Sequence, residues 1–290
     1  MNSTVNSTNQ IPPNGIGAVS FTPLLAPNAL FVTLFTILFI IQIILTVRFW
    51  RFYGYAIGML GGLLLELLGY VAKVQLSHNR ANKNGYIMYA SKTSSLYIIG
   101  LTLGPTFLSS SLYLGISTLQ RHYKSARLAR ISPRLFASLF ILGDFICLCF
   151  IGCGGSLAAI FDTNPIGVDL MIAGLATQVL FTAIFCLLLA IVCFKIHKQL
   201  IEDKKLGYIA GAAVAAVCLF IRSCWRVAEL NGGFNGPLSS KEGIFIALDS
   251  VPMILMSVLL TVIHPEFWFD NSRPLSGKIT EEGLQVHIKI

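Results

Sequence analysis

The stretch FIRSCWRVAELNGGFNG, residues 220–236, decides how the whole chain is read. It continues a run, LGYIAGAAVAAVCL (206–219), that is apolar enough to sit in lipid. Yet it adds Arg222, Arg226 and Glu229, which follow one another after four and then three positions. That spacing puts all three on one face of a helix. A charge near the bilayer centre costs about 2.5–3.5 kcal/mol even on insertion scales. Either this is no membrane span, or other spans bring opposite charges to meet it.

The rest of the chain supports the second reading. Of 290 residues, 55% are hydrophobic and only 12% charged, against about 25% charged in a soluble domain. Seven apolar runs approach the roughly 20 residues that a span requires: 29–47, 53–76, 94–119, 135–160, 170–194, 207–230 and 243–263. The third has the least definite start, because residues 86–97 hold Lys92 with several Ser and Thr. The fold expected is all-α: a polytopic membrane protein with a seven-transmembrane-helix bundle.

Lys and Arg in the short loops set the expected orientation. One side holds Arg48 and Arg51, then Arg121, Lys124, Arg127, Arg130 and Arg134, then Lys195, Lys198, Lys204 and Lys205. The tail adds Arg273, Lys278 and Lys289 to that side, while the other holds Arg80, Lys83 and Lys241. The N-terminus is therefore expected outside and the C-terminus in the cytosol. Residues 1–28 read as an outer tail, 29–264 as the membrane domain and 265–290 as a cytosolic tail. Asn2 and Asn6 each open an N-x-[ST] triplet on the outer side and are candidate glycosylation sites. The net charge of +8 is explained by the inner loops, so no nucleic-acid partner is implied. All seven cysteines lie in apolar runs and read as small packing residues. Small residues at four-residue spacing, Gly54, Gly58 and Gly62, then Gly207, Gly211 and Ala215, point to close helix packing. A homo-oligomer is compatible with them but not indicated.

Partners for the charges of the opening stretch are at hand. The second span carries Glu66 and Lys73, which share a face with Gly69 and Tyr70. The fourth carries Asp144, and the seventh carries Asp249 with Glu242 at its outer mouth. Counting 1.5 Å per residue puts Glu66, Arg222 and Asp249 at similar depth, with Lys73, Arg226 and Glu229 further out and Asp144 further in. Arg222 is expected to pair with Glu66 or Asp249, and Lys73 with Glu229. The cluster reads as a polar cavity among the second, sixth and seventh helices, open outward and extended inward by Asp144. Salt bridges that merely fix helix register are the competing reading. Pro252, three positions after Asp249, frees a backbone carbonyl and suggests a hinge. Pro105 suggests another kink in the third span.

Enzymatic chemistry finds no footing. The chain has neither G-x-x-x-x-G-K-[ST] nor G-x-S-x-G, and its five histidines are scattered. No cofactor, metal site or catalytic residue is expected.

ELLGYVAK (66–73), RSCWRVAELNGGFNGPLSSKE (222–242) and LDSVPMILMSVLLTVIHP (248–265) together resemble the signatures of the fungal RTA-like, or lipid-translocating exporter, family. LGPTFLSSSLYL (103–114) and GDFICLCFIGCGG (143–155) resemble its third and fourth helices. The resemblance spans nearly all of 29–265 and departs from the family pattern at Lys73, Ile151, Trp225 and Ile246. It implies a protein of the plasma membrane or an endomembrane that moves or exports amphipathic lipids, such as sphingoid long-chain bases or aminosterol-like compounds, and confers resistance to them. By resemblance Glu66, Tyr70, Asp144, Arg222, Arg226, Glu229 and Asp249 are binding or translocation residues, with Glu242 and Pro252 in a loop and hinge, and Lys73, on the same face as Glu66, is expected to join the binding set. The alternative is a seven-helix lipid or sterol receptor that binds without transport.

Overall fold

The computed structural model describes residues 25–78, 83–123, 132–160, 166–203, 205–231 and 242–269. Asn2, Asn6 and the side chain of Glu242 lie outside what is described. Six long helices run in sequence: α1 (Leu25–Arg48), α2 (Tyr53–His78), α3 (Lys83–His122), α4 (Pro133–Ile160), α5 (Ile166–Glu202) and α6 (Leu206–Asn231). A seventh rod is composite. It joins α7 (Glu242–Phe245), a π-helical turn (Ile246–Ser250) and α8 (Val251–Val262), and it ends at a short helix, α9 (Pro265–Phe269). Strands are absent among the described residues.

Six stretches are long and apolar enough to cross a membrane: α1, α2, α4, α5, α6 and the composite rod. The outer helices face lipid directly. Leu30, Ile44 and Val47 of α1, and Leu135, Leu142 and Phe145 of α4, stay exposed, as hydrocarbon solvent permits. The third helix is different. At 40 residues it is the longest, but hydroxyl residues interrupt its apolar run. Its surroundings explain this. It packs against α2, α4, α6 and α8, and Phe107 is its one exposed large apolar side chain among the described residues. A helix wrapped in protein has no need to be uniformly apolar.

Glycines set how closely α2 and α3 approach. A Cβ added at Gly58 would fall 2.9 Å from the Phe107 carbonyl oxygen, and one at Gly62 would fall 3.0 Å from that of Gly104. From the α3 side, a Cβ at Gly100 would lie 2.7 Å from the Leu65 carbonyl oxygen. On α6, Gly207 faces Trp268 and Gly211 faces Ile263. The four-residue spacings therefore serve packing inside one chain.

Residues next to the basic loops are also tied together. The Tyr123 hydroxyl donates to Asp203 Oδ2 at 2.5 Å, and partial burial together with that carboxylate pushes its pKa up. Lys205 Nζ lies 3.2 Å from His122 Nε2 and 5.1 Å from the Phe269 ring centroid. Phe269 and Trp268 pack edge-on against Tyr208 of α6. Residues 265–269, the start of the segment read as a tail, thus form a helix docked on the bundle.

Candidate functional site

Arg222 is the hub of the membrane charges. It sits on the inward face of α6 with 2% of its surface exposed, between Glu66 and Asp249, which have none. Its Nε donates to Asp249 Oδ1 at 2.8 Å, and its Nη1 donates to Glu66 Oε1 at 3.2 Å. The expected choice between Glu66 and Asp249 resolves to both. One guanidinium fork holds two carboxylates from different helices, a task suited to its planar array of donors.

The third arm reaches α3. Arg222 Nη2 donates to the backbone carbonyl of Leu101. Four residues on is Pro105, which has no N–H to offer that carbonyl. The proline strips Leu101 of its helical partner, and the arginine replaces it. A Cβ added at the neighbouring Gly104 would lie 2.9 Å from Glu66 Cγ and Oε1, so α3 also forms the wall behind Glu66. This contribution of α3 was missed in the sequence reading. The signal lay in Pro105, taken only as a kink.

The π-helical turn shapes the seventh rod's contribution. Pro252 cannot bond the carbonyl four residues before it, and the turn just ahead of it is widened. Asp249 and Ser250 are consecutive, yet neither has any exposure. Ser250 lies beside the Tyr70 hydroxyl. The Tyr70 ring is packed on Phe31 and Phe35 of α1, at centroid distances of 5.2 and 5.4 Å.

Further along α6, Arg226 Nε lies 3.2 Å from Asp249 Oδ1, and its Nη1 lies 2.9 Å from Glu229 Oε2. These two side chains are the partly open edge of the network, 18% and 15% exposed. Glu229 is therefore held by Arg226, and the expected pair with Lys73 does not form. Lys73, 1% exposed, instead places its ammonium 3.7 Å from the centroid of the Phe245 ring and within electrostatic range of Asp249. A desolvated cation–π contact of this kind is worth about 2 kcal/mol.

Two further expectations need correction. Among the described residues the centre of the cluster is closed rather than open: Glu66, Arg222 and Asp249 are buried, and partial exposure begins at Arg226 and Glu229. Nor does Asp144 extend it. The Asp144 carboxylate belongs to a second polar site between α3 and α4. There Ser109 Oγ donates to Oδ2 at 2.6 Å and the Tyr113 hydroxyl donates to it at 3.1 Å. Sequence gives depth along a helix but not which neighbour a face meets. With Asp144 elsewhere, Arg222, Arg226 and Lys73 stand against Glu66, Glu229 and Asp249, a balanced set of three and three. Among the described residues no group of His, Cys, Asp and Glu could hold a metal ion.

The RTA1 like protein family matches residues 59–272, a stretch that takes in the Arg222 network and the Asp144 site. The chain belongs to this family. Among relatives from Saccharomyces cerevisiae, the RTA1 like chain is 27% identical over 271 residues to one named Sphingoid long-chain base transporter RSB1, covering 79% of this chain and 69% of the relative. It is 25% identical over 209 residues to one named Protein RTM1, covering 69% and 64%. It is 25% identical over 206 residues to one named Protoporphyrin uptake protein 1, covering 69% and 65%. No solved structure matches. Family and relatives make this RTA1 like protein a multi-pass membrane transport protein rather than an enzyme.

Proposed function

We propose that the protein translocates cationic amphipathic lipids of the sphingoid long-chain base type between membrane leaflets, and so confers resistance to them. The N-terminus faces outward and the C-terminus the cytosol, as the loop charges require. The plasma membrane is the natural site for export, with an endomembrane as the other setting. The observation that carries the reading is the buried fork of Arg222, which ties α2, α3, α6 and the rod at one point. Salt bridges buried this deeply are poor stabilisers compared with apolar packing, so a network of six charges in lipid points to use.

The network acts as a latch. A lipid ammonium arriving at the half-open edge competes with Arg226 for Glu229, and loosening Arg226 also loosens its hold on Asp249. The rod can then shift at its π turn, where Pro252 has already removed a backbone hydrogen bond. The tail of the lipid stays against the apolar outer faces throughout.

Vesicles reconstituted with the full chain and loaded with a labelled sphingoid base test this directly. Leaflet exchange should exceed that of protein-free vesicles. Glu229→Gln should lower it about tenfold, the kinetic equivalent of losing one charge-assisted hydrogen bond. Equal exchange in wild type and variant would count against the latch, and no exchange above background would remove the transport reading. Recruitment of a cytosolic partner on lipid addition, without flux, would instead support a receptor.

A further inference from the structure

The carboxylates of the Arg222 network are already neutralised by guanidinium groups. A lipid ammonium that settled on Glu66 or Asp249 would have to displace Arg222, leaving a buried arginine without its partner. Asp144 is different. It is 3% exposed and its contacts are two hydroxyls, from Ser109 and Tyr113, both to Oδ2. Its Oδ1 is buried with no hydrogen-bond partner, and no cation pairs with it among the described residues. An ionised carboxylate in this setting calls for a positive group.

We propose that Asp144, Ser109 and Tyr113 form a binding site for a primary ammonium group, and that it holds the headgroup of a cationic lipid between α3 and α4. The proposal rests on the transport reading above and deepens it by naming where the headgroup sits. The donor and acceptor count fits. A primary ammonium has three N–H donors. Asp144 Oδ1 offers a free acceptor, and the two hydroxyl oxygens keep lone pairs after donating to Oδ2.

The surroundings provide an approach for the tail. Each residue of a helix turns the direction by about 100°. On α4 the surface passes from buried Asp144 to half-buried Ile141 and Leu148, and then to exposed Phe145. On α3, Thr106 and Ser110 beside Ser109 are likewise half-buried. A headgroup at Asp144 would thus lie one helix edge away from lipid. The site is also linked to the Arg222 fork through α3. Leu101, which takes the third arm of Arg222, is eight residues before Ser109, or about 12 Å along the helix.

Competition binding to the detergent-purified full chain tests this, with dodecylamine and N-acetyldodecylamine as probes. The two share a tail, but only the first carries an ammonium at neutral pH. Wild type should bind the amine at least about tenfold more tightly than the amide. Asp144→Asn should abolish that preference while leaving amide binding unchanged, and Asp169→Asn, which removes an exposed carboxylate from the first turn of α5, should keep it. Equal binding of both probes by wild type would overturn the proposal, as expected if Asp144 simply holds a proton. So would a preference that survives Asp144→Asn, or one lost equally in Asp169→Asn. None of these touches the flux assay, which decides the transport reading separately. If Asp144→Asn does not fold, Ser109→Ala combined with Tyr113→Phe retains the carboxylate. It should cut the preference several-fold, and an unchanged preference in that pair overturns the site.

Discussion

Replacing Arg222 by alanine is expected to destabilise the protein by about 3–5 kcal/mol, the cost of leaving a buried charge without its partner. Glu66 loses the guanidinium at 3.2 Å, and the Leu101 carbonyl loses the donor that stands in for the missing proline N–H. Asp249 keeps Arg226 at 3.2 Å, which limits the damage there. Folded proteins retain only about 5–15 kcal/mol in all, so Arg222→Ala should accumulate poorly and melt early on size exclusion of the detergent-solubilised protein. The loss should be largely recovered by Arg222→Met combined with Glu66→Gln, because that pair removes one charge of each sign and leaves Asp249 with Arg226. A melting temperature for Arg222→Ala within about 2 °C of wild type would mean that the fork carries little stability.

The second large effect is steric. Gly100→Ala should cost about 1–3 kcal/mol or more, as overpacking does when nothing can yield. Its Cβ would face the Leu65 carbonyl oxygen at 2.7 Å and the Gly69 Cα and N at 3.0 Å. All three are backbone atoms, so no side chain can turn aside, and α3 must move away from α2. Because Gly100 adjoins Leu101, that movement pulls on the third arm of Arg222, and sphingoid-base exchange should fall together with melting temperature. Gly152→Ala is the control. A Cβ there meets nothing within 4 Å, and alanine favours helix over glycine, so stability should hold or rise. Similar melting shifts for the two variants would refute the close-contact account of α2 and α3.

Hydropathy made the bundle readable before the structure. The second and sixth runs match α2 and α6 to within two residues, because each keeps enough apolar surface to span lipid even with a charged face turned into the bundle. Over its described side chains, from residue 100 on, the third helix is enclosed by protein, and its hydroxyls are free to serve neighbours. The same logic sorts the charges. Offsets of four and three correctly put Arg222 and Arg226 on a shared face, and matched depth correctly brought Glu66 and Asp249 to Arg222. Depth could not tell that Lys73 would lie on Phe245, or that Asp144 would turn toward Ser109. Those outcomes depend on which neighbour each helix face meets, and helix order in the bundle is not written in periodicity. The backbone gave one clue that went unused. A proline inside a span always orphans a carbonyl, and a buried arginine is a ready donor to fill it.

The Arg222 fork also has a consequence for how the chain is made. Its partners Glu66 and Leu101 lie 156 and 121 residues earlier, while Asp249 lies 27 residues later. At about 5–20 residues per second during synthesis, Glu66 waits roughly 8–30 s before its arginine has even left the ribosome. During that time the second helix carries a carboxylate into the insertion machinery with no counter-charge from the sixth. The last helix to emerge supplies the final tie, so assembly is gated by its arrival, and a chain stalled before residue 249 presents an arginine still short of a partner to whatever surveys unfinished membrane proteins.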